Sequence, residues 1–377
     1  MNIGIDARLW TETGVGRYIR NLVSGLAKEP GDHVYTLFIL RRDREEIRHV
    51  LGANADRFSY IAADFRWHTL REQLLFSRLI NTSDVDLVHF PYFSLPVLTR
   101  KPYVVTIHDV IIHHFPTGKA STLPLPLYRL KHAGYKQIVA RSSKRARAII
   151  VPLVSTKEEV VRTLAVPENK VFVTPEGVDP MLSGSTTAEH ILKRFGAQPY
   201  FLYVGNAYPH KNLPTLLNGF ARYEKEKPDK KTRLLLVGKT DYFYQKLRGS
   251  VTDARVIFLD FVSDGELAAL YRQAVALLAP SLMEGFGLPP LEAMANGCLV
   301  IASDIPAHKE ICGNVALYFD PESPGQISEK LQESQTMPEA VLAARIRSGK
   351  EKAKAYSWQK MVSQTKSVYE SCLLTSS

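Results

Sequence analysis

Cysteine is scarce in this chain: its 377 residues include three, Cys298, Cys312 and Cys372, and no two form a Cys-x-x-Cys pair. That excludes a disulfide framework or a structural zinc ribbon and points to a reducing compartment. Long apolar runs are missing too. None approaches the roughly 20 residues a membrane span needs, although 45% of the residues are hydrophobic and 23% charged, the balance of a folded soluble protein. The chain opens on a strand-like run, Ile3-Gly4-Ile5-Asp6, with no basic segment leading into an apolar one, so no signal peptide is expected. The expectation is a cytoplasmic protein, either free or peripheral at the inner face of a membrane.

Acidic residues are absent from one stretch. Between Tyr128 and Arg147 stand seven basic residues (Arg129, Lys131, Lys136, Arg141, Lys144, Arg145 and Arg147) and no Asp or Glu. Leu127, Leu130, Ile138 and Val139 interleave with them. Residues 128–147 therefore read either as a basic amphipathic helix on an anionic membrane surface or as a solvated helix face beside a core stripe. The whole chain carries a net charge of +10, which attracts nucleic acid, anionic lipid headgroups or phosphorylated substrates. The basic residues are not interleaved with stacking aromatics, which argues against a nucleic-acid partner. There is no internal repeat and no low-complexity tract.

What the chain does have is a series of short apolar runs separated by helix-permissive segments. In the first half they are Asn2–Asp6, Val34–Leu40, Phe58–Ala62, Val85–Phe90, Tyr103–His108, Ala148–Val151 and Val171–Thr174. In the second half they are Tyr200–Val204, Arg233–Val237, Val256–Leu259, Val275–Ala279, Leu299–Ala302 and Ala316–Phe319. Continuous apolar runs mark strands buried on both faces, and their alternation with helices implies parallel sheets. So many strands exceed one comfortable twisted sheet, so two α/β doubly wound domains are expected. The break falls at Pro175-Glu176-Gly177-Val178-Asp179-Pro180, followed by the polar stretch 183–189. The domains read as 1–178 and 179–357, with a terminal helix over 358–377. Doubly wound sheets bind ligands at the carboxyl ends of their strands, so candidate residues are sought just after strands.

Three loops stand there. Thr13-Gly14-Val15-Gly16-Arg17-Tyr18 precedes a helix expected from Tyr18, and its glycines let backbone amides approach a phosphate. A plain tight turn is the alternative reading of this Gly-x-Gly, and the third glycine of a dinucleotide fingerprint is absent, with Arg20 near its place. Gly205-Asn206-Ala207-Tyr208-Pro209-His210-Lys211-Asn212 ends a strand and enters a helix that Asn212 is expected to cap. Lys211 there suits a diphosphate as a point charge, or is an ordinary surface lysine. The third loop is Glu284-Gly285-Phe286-Gly287-Leu288-Pro289-Pro290-Leu291-Glu292, with the helix expected from Pro290 and closed at Gly297. Backbone amides from Gly285 to Leu288 can receive a phosphate. Glu292, expected in the first helical turn, can accept both hydroxyl protons of a ribose diol, and Glu284 those of a transferred sugar.

The paired glutamates of this third loop resemble those of glycosyltransferase family 4, whose members have the GT-B fold of two facing Rossmann-like domains with a deep cleft between them. The resemblance runs over almost the whole chain, through Thr13–Tyr18, Val105-Thr-Ile-His-Asp109, Pro175–Asp179, Tyr203–Asn206 with Pro209–Asn212, and Ala302–Glu310. It implies retention of anomeric configuration, no cofactor and no essential metal, and a C-terminal helix that crosses back to the first domain. It implies an acceptor-binding first domain and a second that binds the nucleotide sugar. By the same resemblance Gly16 contacts the donor diphosphate and Lys211 neutralises it. Glu284 binds sugar hydroxyls, Glu292 binds the ribose, and His108 lies against the transferred sugar. Many members carry an arginine before the lysine; here Asn206 and His210 occupy the candidate positions, so Arg17, or a protonated His210, would assist Lys211.

No carboxylate nucleophile stands out, so attack on the face of the departing phosphate is expected, with Lys211, the loop amides and the helix dipole stabilising the charge that develops. His108 either orients the sugar or acceptor or is a packed core histidine; Asp109 either takes part or caps a turn. Asp84-Val85-Asp86 reads as a strand entry, not a metal site. An oxidoreductase would need the full glycine fingerprint. A sugar-nucleotide epimerase shares the architecture but releases product without an acceptor. The family members with this Pro-x-Lys-Asn loop point to GDP-mannose as donor, with a UDP-sugar as the alternative. A glycan or polyprenyl-linked acceptor would account for the basic segment. Trp67, Leu70, Leu74, Leu75 and Phe76, near Arg66 and Arg71, read as core with an apolar membrane contact as the alternative.

Overall fold

The structure, a computed structural model, describes the chain except residues 30, 32, 68, 94, 116–124, 179–197, 227–231, 261 and 375–377. Asp179 and the polar stretch 183–189 lie outside the described residues, as do the side chains of Leu127, Arg129, Leu130 and Lys131. Thirteen strands are described, and each of the apolar runs singled out in the sequence supplies one. They are β1 (Asn2–Asp6), β2 (Val34–Ile39), β3 (Phe58–Ala62), β4 (Leu87–Phe90), β5 (Tyr103–Thr106), β6 (Ala148–Val151) and β7 (Val171–Val173) in the first half. The second half holds β8 (Tyr200–Val204), β9 (Arg233–Val237), β10 (Val256–Leu259), β11 (Ala276–Ala279), β12 (Val300–Ser303) and β13 (Leu317–Phe319).

The strands form two sheets, ordered β3-β2-β1-β4-β5-β6-β7 and β10-β9-β8-β11-β12-β13. Every pairing is parallel. β4, β5, β6, β11 and β12 are buried at every position, as strands covered on both faces must be. The strand order reverses between β1 and β4 and between β8 and β11. Connections leave opposite faces at such switch points, where doubly wound sheets bind ligands beyond the carboxyl ends of their strands.

Met1–His113, Pro124–Gly177 and Ser357–Ser377 form one compact unit and Val178–Tyr356 belongs to the other. Trp358, Met361, Val362 and Tyr369 of the last helix, Trp358–Leu374, share a buried cluster with Ile3 and Ile5 of β1 and with Leu22 of the helix Gly14–Lys28. That helix buries Tyr18, Ile19, Leu22, Val23 and Leu26, the spacing of one apolar face. Asp86 Oδ2 accepts a hydrogen bond from Asn2 N at 2.9 Å, so Asp84-Val85-Asp86 ties the entry of β4 to β1.

Arg8, just past β1, is fully buried. Its guanidinium grips Asp6 at 2.8 and 2.7 Å, reaches Glu72 at 2.9 Å, and lies 3.9 Å from the centre of the Phe76 ring. This cluster pins segment 65–76 against the end of β1. It also corrects the core reading of that segment. Phe76 is buried, but Leu70, Leu74 and Leu75 are 82%, 59% and 41% exposed. Glu72 and Phe76 are the residues turned inward, which leaves the leucines on the solvent side.

Candidate functional site

In the second unit the loops after β8 and β11 leave adjacent strands at the switch point, and their side chains meet. Gly205 N donates to Val237 O and ends β8; a short turn, Pro209–Lys211, follows. Asn212 then takes a left-handed conformation, φ 57°. It does not cap the next helix as expected. Its amide donates to Pro280 O (3.1 Å) and Pro321 O (2.7 Å), while its Oδ1 accepts from Thr215. Leu282 N donates to His210 O at 2.8 Å, which fastens the two loops together.

Lys211 Nζ reaches Glu284 Oε1 at 2.6 Å, and Ser281 Oγ donates to the same oxygen at 2.6 Å. The two charged side chains are only 16% and 13% exposed. Burial alone would raise the Glu284 carboxyl, but the Lys211 ammonium foremost, then His308 and the Ser281 hydroxyl, hold it down at about 2. Glu284 is therefore an anion at any physiological pH. An ammonium has three N–H bonds, and Glu284 takes one of Lys211's.

His210 does not supply the positive charge expected of it. It is buried, and burial first, with Lys211's charge second, lowers its pKa to about 4. Gly285, Phe286 and Gly287 are buried, and the Phe286 ring meets Tyr356 edge-on at 5.9 Å. Gly287 has φ +108°, a backbone that side-chain-bearing residues rarely adopt, so the turn requires glycine. The helix opens at Leu288, before Pro290, because the prolines occupy its second and third positions. Glu292 consequently sits one turn inside and not in the first turn. It is buried and accepts a hydrogen bond from the Tyr271 hydroxyl at 2.9 Å.

In the first unit the helix after β1 begins at Gly14, four residues before Tyr18, because Arg17 N already closes a turn on Thr13 O at 3.0 Å. Gly14 and Gly16 thus belong to the first helical turn. A Cβ on Gly16 would lie 2.6 Å from Trp10 O, so the loop before the helix itself requires a glycine there. Arg17 is half-buried. His108 lies two residues past β5, with Nδ1 2.8 Å from Glu176 Oε1 and Nε2 3.0 Å from Pro91 O. Asp109 Oδ1 accepts from Ile111 N at 2.9 Å, a turn cap.

Sequence reasoning missed Glu176, Tyr271 and His308 as members of these groups. Glu176 and His308 lie in motifs already singled out; Glu176 meets His108 across 68 positions of chain, while His308 turns back on Ser303, five positions earlier. Ser303 Oγ donates to Ser281 O at 2.5 Å, so His308 Nδ1 must donate to Ser303, at 3.0 Å to Oγ and 3.1 Å to the carbonyl. The His308 ring stands behind Gly287, its Cδ2 3.7 Å from where a Cβ would be. Among the described residues, no group of three or more His, Cys, Asp or Glu is arranged to hold a metal ion. No described helix is long and apolar enough to cross a membrane.

A family model described as Glycosyltransferase Family 4 matches residues 13–182, and one described as Glycosyl transferases group 1 matches residues 186–352. The O-antigen chain mannosyltransferase RfbU of Salmonella typhimurium is 28% identical over 279 residues, spanning 73% of this chain and 72% of its own. O-antigen chain mannosyltransferase B of Escherichia coli is 27% identical over 292 residues, spanning 75% and 74%. Among solved structures, Anabaena HepE in complex with UDP and glucose aligns with a TM-score of 0.76 at 15% identity, covering 98% of this chain and 100% of that one.

Proposed function

The chain belongs to the family 4, group 1 glycosyltransferases, matched over residues 13–182 and 186–352, and from that premise we propose that it transfers mannose from GDP-mannose to a glycan or polyprenyl-linked acceptor with retention of configuration. The observation that carries the reading is the Lys211–Glu284 pair at 2.6 Å, at the switch point of the second sheet. It brings a cation suited to a diphosphate beside a carboxylate suited to sugar hydroxyls. The mannose donor and the surface-polysaccharide acceptor draw support from the two O-antigen mannosyltransferases.

In the proposed reaction the acceptor oxygen bonds to the anomeric carbon as the bond from that carbon to the diphosphate oxygen breaks. The acceptor's proton passes to the departing phosphate on the same face. Lys211 and the amides of Gly285 to Leu288 oppose the charge that develops on the leaving group. Glu284 orients the sugar. Glu292, steadied by Tyr271, binds the ribose. Lys211 supplies the positive charge, so no metal is required.

Peripheral membrane contact is part of the proposal. Exposed Leu70, Leu74 and Leu75 beside Arg66 and Arg71 support it, as do the exposed Arg141, Lys144 and Arg147 of the basic segment. A second reading, a UDP-sugar donor, is favoured by the UDP and glucose bound in HepE.

The test is a thermal-shift and hydrolysis screen against GDP-mannose, UDP-glucose, UDP-N-acetylglucosamine and their free nucleotides, with and without EDTA. Stabilisation by GDP and GDP-mannose that EDTA leaves unchanged supports the proposal. Stabilisation by UDP alone transfers it to the second reading. Silence with every nucleotide withdraws the donor site, and an altered nucleotide sugar formed from the donor without any acceptor points to an epimerase.

A further inference from the structure

His108 is flanked by an acceptor at each ring nitrogen: Glu176 Oε1 lies 2.8 Å from Nδ1 and the Pro91 carbonyl 3.0 Å from Nε2. A neutral imidazole has one N–H and one lone pair. In either neutral tautomer a nitrogen lone pair would face an oxygen lone pair at hydrogen-bonding distance, in a pair whose side chains are 14% and 8% exposed. Only the doubly protonated ring donates to both oxygens.

The surroundings agree with a cation. Burial by itself would lower the His108 pKa, but the hydrogen bond and charge of Glu176, then the Pro91 carbonyl and Asp109, raise it above its ordinary 6.5. On β4, His89 faces His108 as a neutral ring; burial first and the His108 charge second hold it down at about 3. Its nitrogens are engaged by Tyr369 and Thr106. From the helix Gly14–Lys28, Tyr18 meets the His108 ring edge-on at 4.8 Å, its phenol held neutral by burial. Glu176 itself is fixed by its neighbour: a Cβ on Gly177 would fall 2.1 Å from Trp358 N, so the backbone there is wedged against the start of the last helix.

We propose that Glu176 is a positioning residue that keeps His108 doubly protonated at neutral pH, so that His108, with both N–H bonds given to Glu176 and Pro91, meets the substrate as a fixed cation and never as a general base. The inference rests on the retaining-transferase reading, in which the acceptor's proton leaves with the diphosphate and no protein base is needed.

Two measurements test it separately. The first follows the ring C2–H of His108 by NMR in the full chain without donor, assigned by its loss in His108→Asn. The expected titration midpoint lies above neutral pH, higher than the ordinary 6.5, and falls by about one pH unit or more in Glu176→Gln. A midpoint below neutral pH, or one that Glu176→Gln leaves in place, overturns the proposal. The second is the pH profile of GDP-mannose turnover. A required cation makes kcat/KM fall as pH rises through the His108 midpoint, with the fall moved to lower pH in Glu176→Gln and largely restored in Glu176→Asp. A general base would make kcat/KM rise through that midpoint, and that result overturns the proposal. So does a profile unmoved in Glu176→Gln while the NMR midpoint shifts. If GDP-mannose is not turned over at all, the functional reading fails while the NMR result still decides the pairing.

Discussion

Lys211 and Glu284 are 73 positions apart in the chain, yet their charged atoms stand 2.6 Å apart. Each residue type was legible as a donor-loop candidate from its place after a strand; their contact was not, because it depends on β8 and β11 lying side by side. The same holds for Tyr271 on Glu292 and for Glu176 on His108, where tertiary pairing makes the partner. The folded carboxyl of Glu284 lies at about 2, below its ordinary 4.5. The stabilisation from its pairing is thus fully present above about 4.5 and is lost as pH falls toward about 2. Lys211→Met should flatten that part of the acid limb, measured as the urea midpoint across the same window; an unchanged slope would mean the pair does not hold Glu284 down. Lys211→Ala should also cost about a hundredfold or more in kcat/KM for donor hydrolysis with the fold intact. Tyr271→Phe removes one hydrogen bond to Glu292. It should raise the donor KM by about 3- to 10-fold and leave kcat nearly unchanged; an equal loss in kcat would put Tyr271 in the chemical step instead.

The elements were more legible than their ends. Every apolar run is a strand, because burial on both faces leaves an uninterrupted apolar signal. The helix starts at Gly14 and Leu288 were read late, since hydrogen bonding by Thr13 O and by the backbone ahead of Pro289 carries no side-chain signature. Close backbone approaches are silent in sequence as well. Gly177→Ala must push a methyl group into Trp358 N and should cost about 3 kcal/mol or more, read as a drop in thermal midpoint. Gly134→Ala is the control. Nothing lies within 4 Å of that position in the helix Leu125–Arg145, so it should stabilise by about 0.5–1 kcal/mol. Arg145 of the same helix donates to Val97 O and Thr99 O. It is a strut, and it does not belong among the charges a surface could recruit.

For the whole molecule, the series of apolar runs indicated two α/β sheets, and the strand order that brings Lys211 beside Glu284 came only with the fold. The net charge of +10 gave a direction for partners without a location. For the proposed membrane contact, exposure names the residues to test. Neutralising Arg141, Lys144 and Arg147 together should weaken binding to phosphatidylglycerol vesicles by about tenfold or more. Leu70→Ser with Leu74→Ser should weaken it further. If sedimentation with vesicles is the same in both sets, the peripheral reading is lost.

The central claim is retaining transfer from GDP-mannose. It is tested most directly by incubating the enzyme with that donor and following the anomeric proton of released or transferred mannose by NMR before mutarotation sets in. The account predicts that the first sugar signal is the α-anomer, in the same configuration as the donor, and that EDTA does not change its rate of appearance. A β-anomer appearing first would contradict retention, and a donor left intact while UDP-glucose is consumed would contradict the mannosyl reading.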